Sequence, residues 1–155
     1  IRLSNAFGKP FWNNKNCWNL VVNDFCKQVV INKSIQINSD GNEVRNFVTV
    51  NEVCRLVDFI IEKFNMGKII PFIFNFGGSW NLSIKSLAVL IAKKYKEAYG
   101  INPKIIFKKR SQAKPNKRLE FSYDLIIKKG FKPRNNYLDD VKEIFSYVKD
   151  NFLNA

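Results

Sequence analysis

No histidine occurs anywhere in the 155 residues. Serine–histidine and cysteine–histidine catalysis within the chain are therefore excluded, as is any histidine-ligated metal site. Glycine is scarce, at seven residues. No Gly-x-Gly-x-x-Gly and no Gly-x-x-x-x-Gly-Lys-Ser/Thr is present, and the lone pair Gly77-Gly78 is too little for a phosphate loop. Three cysteines, Cys17, Cys26 and Cys54, form no Cys-x-x-Cys pair. That argues against a zinc cluster, and an odd, widely spaced set does not read as a disulfide scaffold. Reduced thiols in a cytoplasmic protein are the expectation. No apolar run reaches the ~18 residues that a membrane span needs, so no membrane-spanning helix is expected. Ile1-Arg2-Leu3 carries neither an initiator methionine nor a signal-peptide pattern, as expected of a piece of a longer protein.

What is present belongs to a globular chain. Hydrophobic residues make up 46% and charged residues 25%, and fourteen Phe, three Trp and five Tyr can fill a core. The length fits about one domain, residues 1–155. Periodicity gives a mixed order of elements. Trp18, Val21, Val22, Phe25 and Val29 have the spacing of an amphipathic helix. Short strands are predicted over 1–5, 34–38, 44–50, 71–76 and 104–107. Arg45, Phe47 and Thr49 fall on one strand face. Asn51 is the expected N-cap of a helix whose stripe is Val53, Leu56, Val57, Ile60, Ile61 and Phe64. Ser83 opens the longest helix, with Ile84, Leu87, Leu90, Ile91 and Tyr95 inward, and Gly100 ends it. A short helix over 124–129 stops at Gly130. Val141, Ile144, Phe145, Val148 and Phe152 define a last helix. The expected class is α/β in the mixed α+β sense, a small mixed sheet with packed helices.

The charge is uneven. Residues 93–134 hold fourteen Lys and Arg against three acids, a net of +11 in a chain whose total is +13. Three readings compete: a solvated lysine-rich surface, an anionic small-molecule site fed by a few cations, and a nucleic-acid surface. The last is the weakest, because most aromatics sit at core-period positions rather than among the basic residues.

The order of motifs resembles a known family. Arg2-Leu3-Ser4-Asn5-Ala6-Phe7-Gly8 resembles the Arg-x-x-Asn-x-x-Gly strand end of extended short-chain dehydrogenases/reductases, the NAD-dependent epimerase/dehydratase family acting on nucleotide sugars. Asn19-Leu20 opens a helix as the substrate-binding helix does there. Asp40-Gly41, Val44-Arg45-Asn46-Phe47-Val48 and Val50 are similar to the family's Asp-Gly-x-x-x-Arg-Asp-Phe-x-x-Val, with Asn46 where Asp is usual. Phe74-Asn75-Phe76-Gly77-Gly78 resembles its Asn-x-Gly strand end, and Gly130-Phe131-Lys132-Pro133 its Gly-Trp-x-Pro close. The resemblance spans nearly the whole chain but only the family's C-terminal portion. Neither its glycine-rich dinucleotide loop nor its Tyr-x-x-x-Lys pair occurs here.

The resemblance implies the C-terminal, substrate-binding part of a Rossmann-type enzyme, with NAD or NADP and the catalytic pair carried by an absent N-terminal part. No catalytic residue and no metal ligand is expected in this chain, and the fragment alone is expected to be inactive and to bind no cofactor. The implied partners are a nucleoside diphosphate sugar and, in the intact enzyme, a second copy in a homodimer, with no membrane and no nucleic acid. Arg45 and Arg110 are the implied diphosphate ligands, Arg118 being a possible substitute for Arg110. Arg suits this role because its planar fork binds phosphate oxygens in pairs. Asn19 and Leu20 would meet the nucleotide or its phosphates at a helix start. Asn5 would lie by the pyrophosphate or by the nicotinamide side of the sugar, and so counts as both a substrate and a cofactor contact. Phe11, Trp12 and Trp18 could stack on the ligand, with core the stronger reading for Trp18. The competing function is a stand-alone basic module for nucleic acid or another polyanion.

Overall fold

The computed structural model describes residues 1–11, 15–67, 73–108 and 121–153, with the backbone alone for Lys15. The strands form three small sheets rather than one. The first pairs β1 (Arg2–Leu3) with β5 (Asn75–Phe76) in parallel. In the second, β4 (Val44–Thr49) lies between β2 (Asn5–Phe7), which is parallel to it, and β6 (Trp80–Ser83), which is antiparallel. The third pairs β3 (Ser34–Ile37) with β7 (Lys104–Phe107) in parallel. The first strand thus does not stop near Asn5. It bends at Ser4, leaves the first sheet and continues in the second as far as Phe7.

Among the described residues there are five α-helices: α1 (Val21–Asn32), α2 (Val50–Asn65), α3 (Ile84–Tyr99), α4 (Asp124–Lys128) and α5 (Tyr137–Phe152). None among the described residues is long and apolar enough to cross a membrane. A single 3-10 turn, Lys15–Asn19, precedes α1, so Trp18 lies in that turn rather than in the helix. Trp18 is nonetheless core, edge-on to Phe152, and Phe11 is exposed. The main core joins α1, α3 and α5 through Val22, Phe25, Val29, Leu87, Ile91, Ile144, Phe145 and Val148. Those positions follow the helical spacing of the sequence, because a helix buries the face on which apolar residues recur every three or four positions.

The N-cap of α2 is Thr49, whose hydroxyl accepts from Glu52 N at 3.1 Å. Asn51 is not the cap. It is the second residue of the helix and donates to Asp140 at 2.6 Å, tying α2 to α5. Ser83 caps α3 as expected, and Gly100 ends it with φ of 72°, a left-handed conformation that glycine adopts without a Cβ penalty. A second core patch gathers Val48, Leu56, Phe74, Phe76, Ile126 and Phe131. Of the expected α2 stripe, however, Leu56 alone is fully buried, while Val57, Ile61 and Phe64 are exposed at 40%, 53% and 75%. Periodicity finds an apolar face but not what covers it. The strand expected over 71–76 is described only at Asn75–Phe76, its first two residues lying outside the described residues. β6 was not expected: Trp-Asn-Leu-Ser alternates apolar and polar residues, but four residues are too short a run to stand out.

Candidate functional site

β4 organises the site because each of its faces does a different task. Side chains alternate along a strand, so Arg45 and Phe47 point one way and Asn46 the other. Asn46 is buried and clamps the Gly77-Gly78 turn. Its Nδ2 donates to Gly78 O at 2.7 Å and to Asn81 Oδ1 at 2.8 Å, and its Oδ1 accepts from Gly78 N at 3.0 Å. The turn presses so closely on β4 that a Cβ on Gly78 would lie 2.2 Å from Phe47 O, and one on Gly77 2.2 Å from Asn46 Oδ1. Both glycines are there for close approach. Asn46 O in turn accepts from Asn5 Nδ2 at 2.9 Å, which fixes the Asn5 amide beside Phe47, its partner in the β2–β4 register.

The end of β2 is tied to α1 by another buried amide. Asn23 donates to Gly8 O at 2.9 Å and accepts from Gly8 N at 3.3 Å. That pair of bonds sets the first turn of α1 against β2 and β4. Asn19 closes the 3-10 turn, and Leu20 is the N-cap residue of α1, extended and with no side-chain cap. The first N–H groups of a helix lack intrahelical partners and carry the positive end of its dipole.

These elements bring four of the five sequence-expected site residues together. Asn5, Asn19, Leu20 and Arg45 line one small cavity of about 80 Å³, with Phe7 and Phe47 as its apolar floor. Asn19 and Arg45 also line an adjoining cavity of about 340 Å³, whose further wall carries Asp24, Gln36, Asn38, Ser39 and Glu43. Arg45 stands where the two meet. Its Nη2 contacts both carboxylate oxygens of Glu43 at 3.0 Å. Asp24 accepts from Gln28 at 2.7 Å, and Gln28 accepts from Gln36 N at 2.7 Å, so the wall of the larger cavity is a connected polar chain. Burial raises the Asp24 carboxyl above its usual range, the Gln28 bond and the charge of Lys27 opposing it. Arg110, Arg118 and Trp12 lie outside the described residues.

A roomier cavity lies elsewhere among the described residues. It measures about 440 Å³, between α2 and α5, and presents Glu52, Asp58, Asp139, Asp140 and Glu143 against Arg55 and Arg134. Five carboxylates against two guanidinium groups disfavour a polyanion there. No group of three metal-ligating side chains occurs among the described residues.

Sequence reasoning missed Glu43, Asp24, Gln36 and Asn23. Glu43 had a signal, since it lies two positions before Arg45 next to a strand. Asn23 had one too, as a polar residue on an otherwise apolar helix face.

No family model matches the chain, and no curated protein matches it. Solved structures do match its fold. The chain is similar to the UDP-glucuronic acid 4-epimerase of Bacillus cereus, solved with UDP-glucuronic acid and NAD, at a TM-score of 0.70 and 18% identity, over 97% of this chain and 45% of that one. It is similar to the UDP-N-acetylglucosamine 4-epimerase of Methanobrevibacter ruminantium, in complex with UDP-N-acetylmuramic acid, at a TM-score of 0.68 and 19% identity, over 97% and 46%. An NAD-dependent NDP-hexosamine 5,6-dehydratase matches at a TM-score of 0.64 and 13% identity, over 99% and 46%. The fold is that of part of these NAD-dependent epimerase and dehydratase structures. The chain spans about half the length of these structures.

Proposed function

We propose that this chain is the nucleotide-sugar-binding part of an NAD(P)-dependent epimerase or dehydratase. The observation that carries the reading is the convergence of Asn5, Asn19, Leu20 and Arg45 on one cleft. Those residues come from β2, the turn before α1, and β4, and they meet only because the chain folds as it does. Arg45 would take the diphosphate, as a guanidinium forks onto two phosphate oxygens. The start of α1 adds N–H donors and its dipole on the same side. The larger cavity, walled by Gln36, Asn38 and Ser39, has amide and hydroxyl groups suited to a nucleoside. The smaller one, with Asn5 above Phe7 and Phe47, suits the sugar.

The chain's own residues do not fit a dinucleotide. It has no glycine-rich phosphate loop and no Tyr-x-x-x-Lys pair. No step of hydride chemistry is therefore assigned here. Binding, orienting and neutralising the diphosphate are the tasks these residues can perform, and the cofactor and the proton-transferring group would come from the other half of the enzyme.

Titration calorimetry of the chain with UDP and with UDP-glucuronic acid tests this. Binding is expected, and Arg45→Ala is expected to weaken it by about 2 kcal/mol, through loss of a charge-assisted pair. Equal affinity of the variant and the wild type removes the assignment.

A further inference from the structure

We infer that Glu43 is an internal competitor for Arg45 and thereby sets how tightly the cleft holds a nucleoside diphosphate; this inference rests on the function proposed above. Glu43 immediately precedes β4, two positions before Arg45, so both side chains emerge on the same side of the chain. One guanidinium nitrogen touches both Glu43 oxygens at 3.0 Å. A carboxylate sits there in the way a phosphate would, with two oxygens against the cation.

The charge count of the cleft makes this contact matter. Among the described residues, Arg45 is the only cation lining either cavity, and two acids, Asp24 and Glu43, face the larger one. The cleft is not a ready-made anion hole, although the chain as a whole carries +13. Asp24 is engaged with Gln28, whereas Glu43 holds Arg45. A ligand phosphate that takes Nη2 must therefore take it from Glu43.

The pair is suited to being displaced. Both side chains are partly open to solvent, at 40% for Arg45 and 47% for Glu43. Exposed ion pairs hold weakly, because water screens the attraction and ordering two long side chains costs entropy. A ligand that needs Arg45 free binds with an affinity reduced by the fraction of molecules in which it is free. For a pair of this exposure, that reduction is roughly two- to fivefold. Glutamine at position 43 keeps the length and the carbonyl oxygen but removes the charge.

The experiment is calorimetric titration of the full chain with UDP at one fixed ionic strength. Four proteins are compared: wild type, Glu43→Gln, Arg45→Ala and the double variant. The expected result is two- to fivefold tighter binding by Glu43→Gln, with that gain abolished when Arg45 is also replaced. An unchanged affinity overturns the proposal. So does weaker binding by Glu43→Gln, which would make Glu43 a contact to ligand hydroxyls, and so does a gain that survives without Arg45. The underlying reading fails separately, if Arg45→Ala binds UDP as well as wild type does. No binding by either wild type or Glu43→Gln overturns both.

Discussion

At the residue scale, buried amides do the positioning. Asn46 satisfies a glycine N–H, a glycine C=O and an asparagine oxygen with a single side chain, which a carboxylate could not do, having no donor. Asn23 does the same for Gly8. A buried polar group left without a partner costs about 1–3 kcal/mol, so these contacts specify the geometry around Arg45 as well as stabilising it. Asp140 is the contrasting case. Burial is the main reason its carboxyl is pushed up to about 6, aided by the charges of Glu143 and Glu52 and opposed by the Asn51 hydrogen bond. The folded chain therefore takes up a proton on Asp140 at a pH where the unfolded chain, with its ordinary carboxyl near ~3.9, does not. The sign follows: the folded state gains stability as pH falls from about 6 towards 4, and loses it as pH rises through that window. With the group only half-buried, solvent screening holds the effect to about 1 kcal/mol. Denaturant titrations at pH 5 and pH 7 should show the pH 5 protein as the more stable with respect to this group. The difference should shrink in Asp140→Asn, and an unchanged difference would remove Asp140 as its source. With no histidine in the chain, no imidazole titration overlaps this window.

Among the elements, α2 departs most from its sequence expectation. Its face carrying Val57, Ile61 and Phe64 is open in this chain, while Leu56 packs against Val48 and Phe76. Phe64→Ala should then change the unfolding free energy of the isolated chain by less than about 0.5 kcal/mol. Leu56→Ala should cost about 2–5 kcal/mol. Urea midpoints of the two variants check this, and a large loss for Phe64→Ala would mean that the face is covered. The elements most legible in the sequence were α1, α3 and α5, whose apolar residues recur at helical spacing and whose ends carry recognisable caps such as Ser83 and Gly100. Arg45, Asn5 and Asn19 were legible only through motif order. Nothing in their spacing says that residues 5, 19 and 45 meet. β6 and the cap at Thr49 escaped notice because a four-residue alternation is too short to stand out and Asn51, two residues on, offered the same capping chemistry. Asn51 satisfied the chemistry of a cap but bonds across to α5, a choice made by tertiary packing.

At the scale of the whole molecule, the excess of positive charge carried by the described residues does not converge on the cleft, where Arg45 is the one cation among them. Lysines cover aromatic faces elsewhere: Lys27 over Phe152 at 4.2 Å, Lys149 over Tyr99 at 5.8 Å and Lys85 over Phe107 at 6.0 Å. A ring already covered by an ammonium is a poor platform for stacking a base, which weighs against a nucleic-acid surface built from these residues. Replacing Lys93, Lys94, Lys96, Lys128 and Lys129 together by Gln should leave UDP affinity within about twofold at physiological salt, because screening limits the reach of exposed charges to about 8 Å. A DNA shift assay on the wild type is the companion measurement. Submicromolar DNA binding with a steep salt dependence, abolished by the five replacements, would establish the polyanion reading instead.

The parallel pairings also set a timetable for the chain. β1 finds its partner 73 positions further on, β2 waits for β4 at 42 positions, and β3 waits for β7 at 70. Each pairing closes a long loop before any ladder bond repays the lost entropy, so folding is dominated by non-local contacts and belongs to the slower regime for its size. On a ribosome adding roughly 5–20 residues per second, β1 spends several seconds with no strand to bond. The wall of the candidate cleft formed by β3 acquires its neighbour only after Phe107 has emerged, so the cleft is completed long after Arg45 itself has been made.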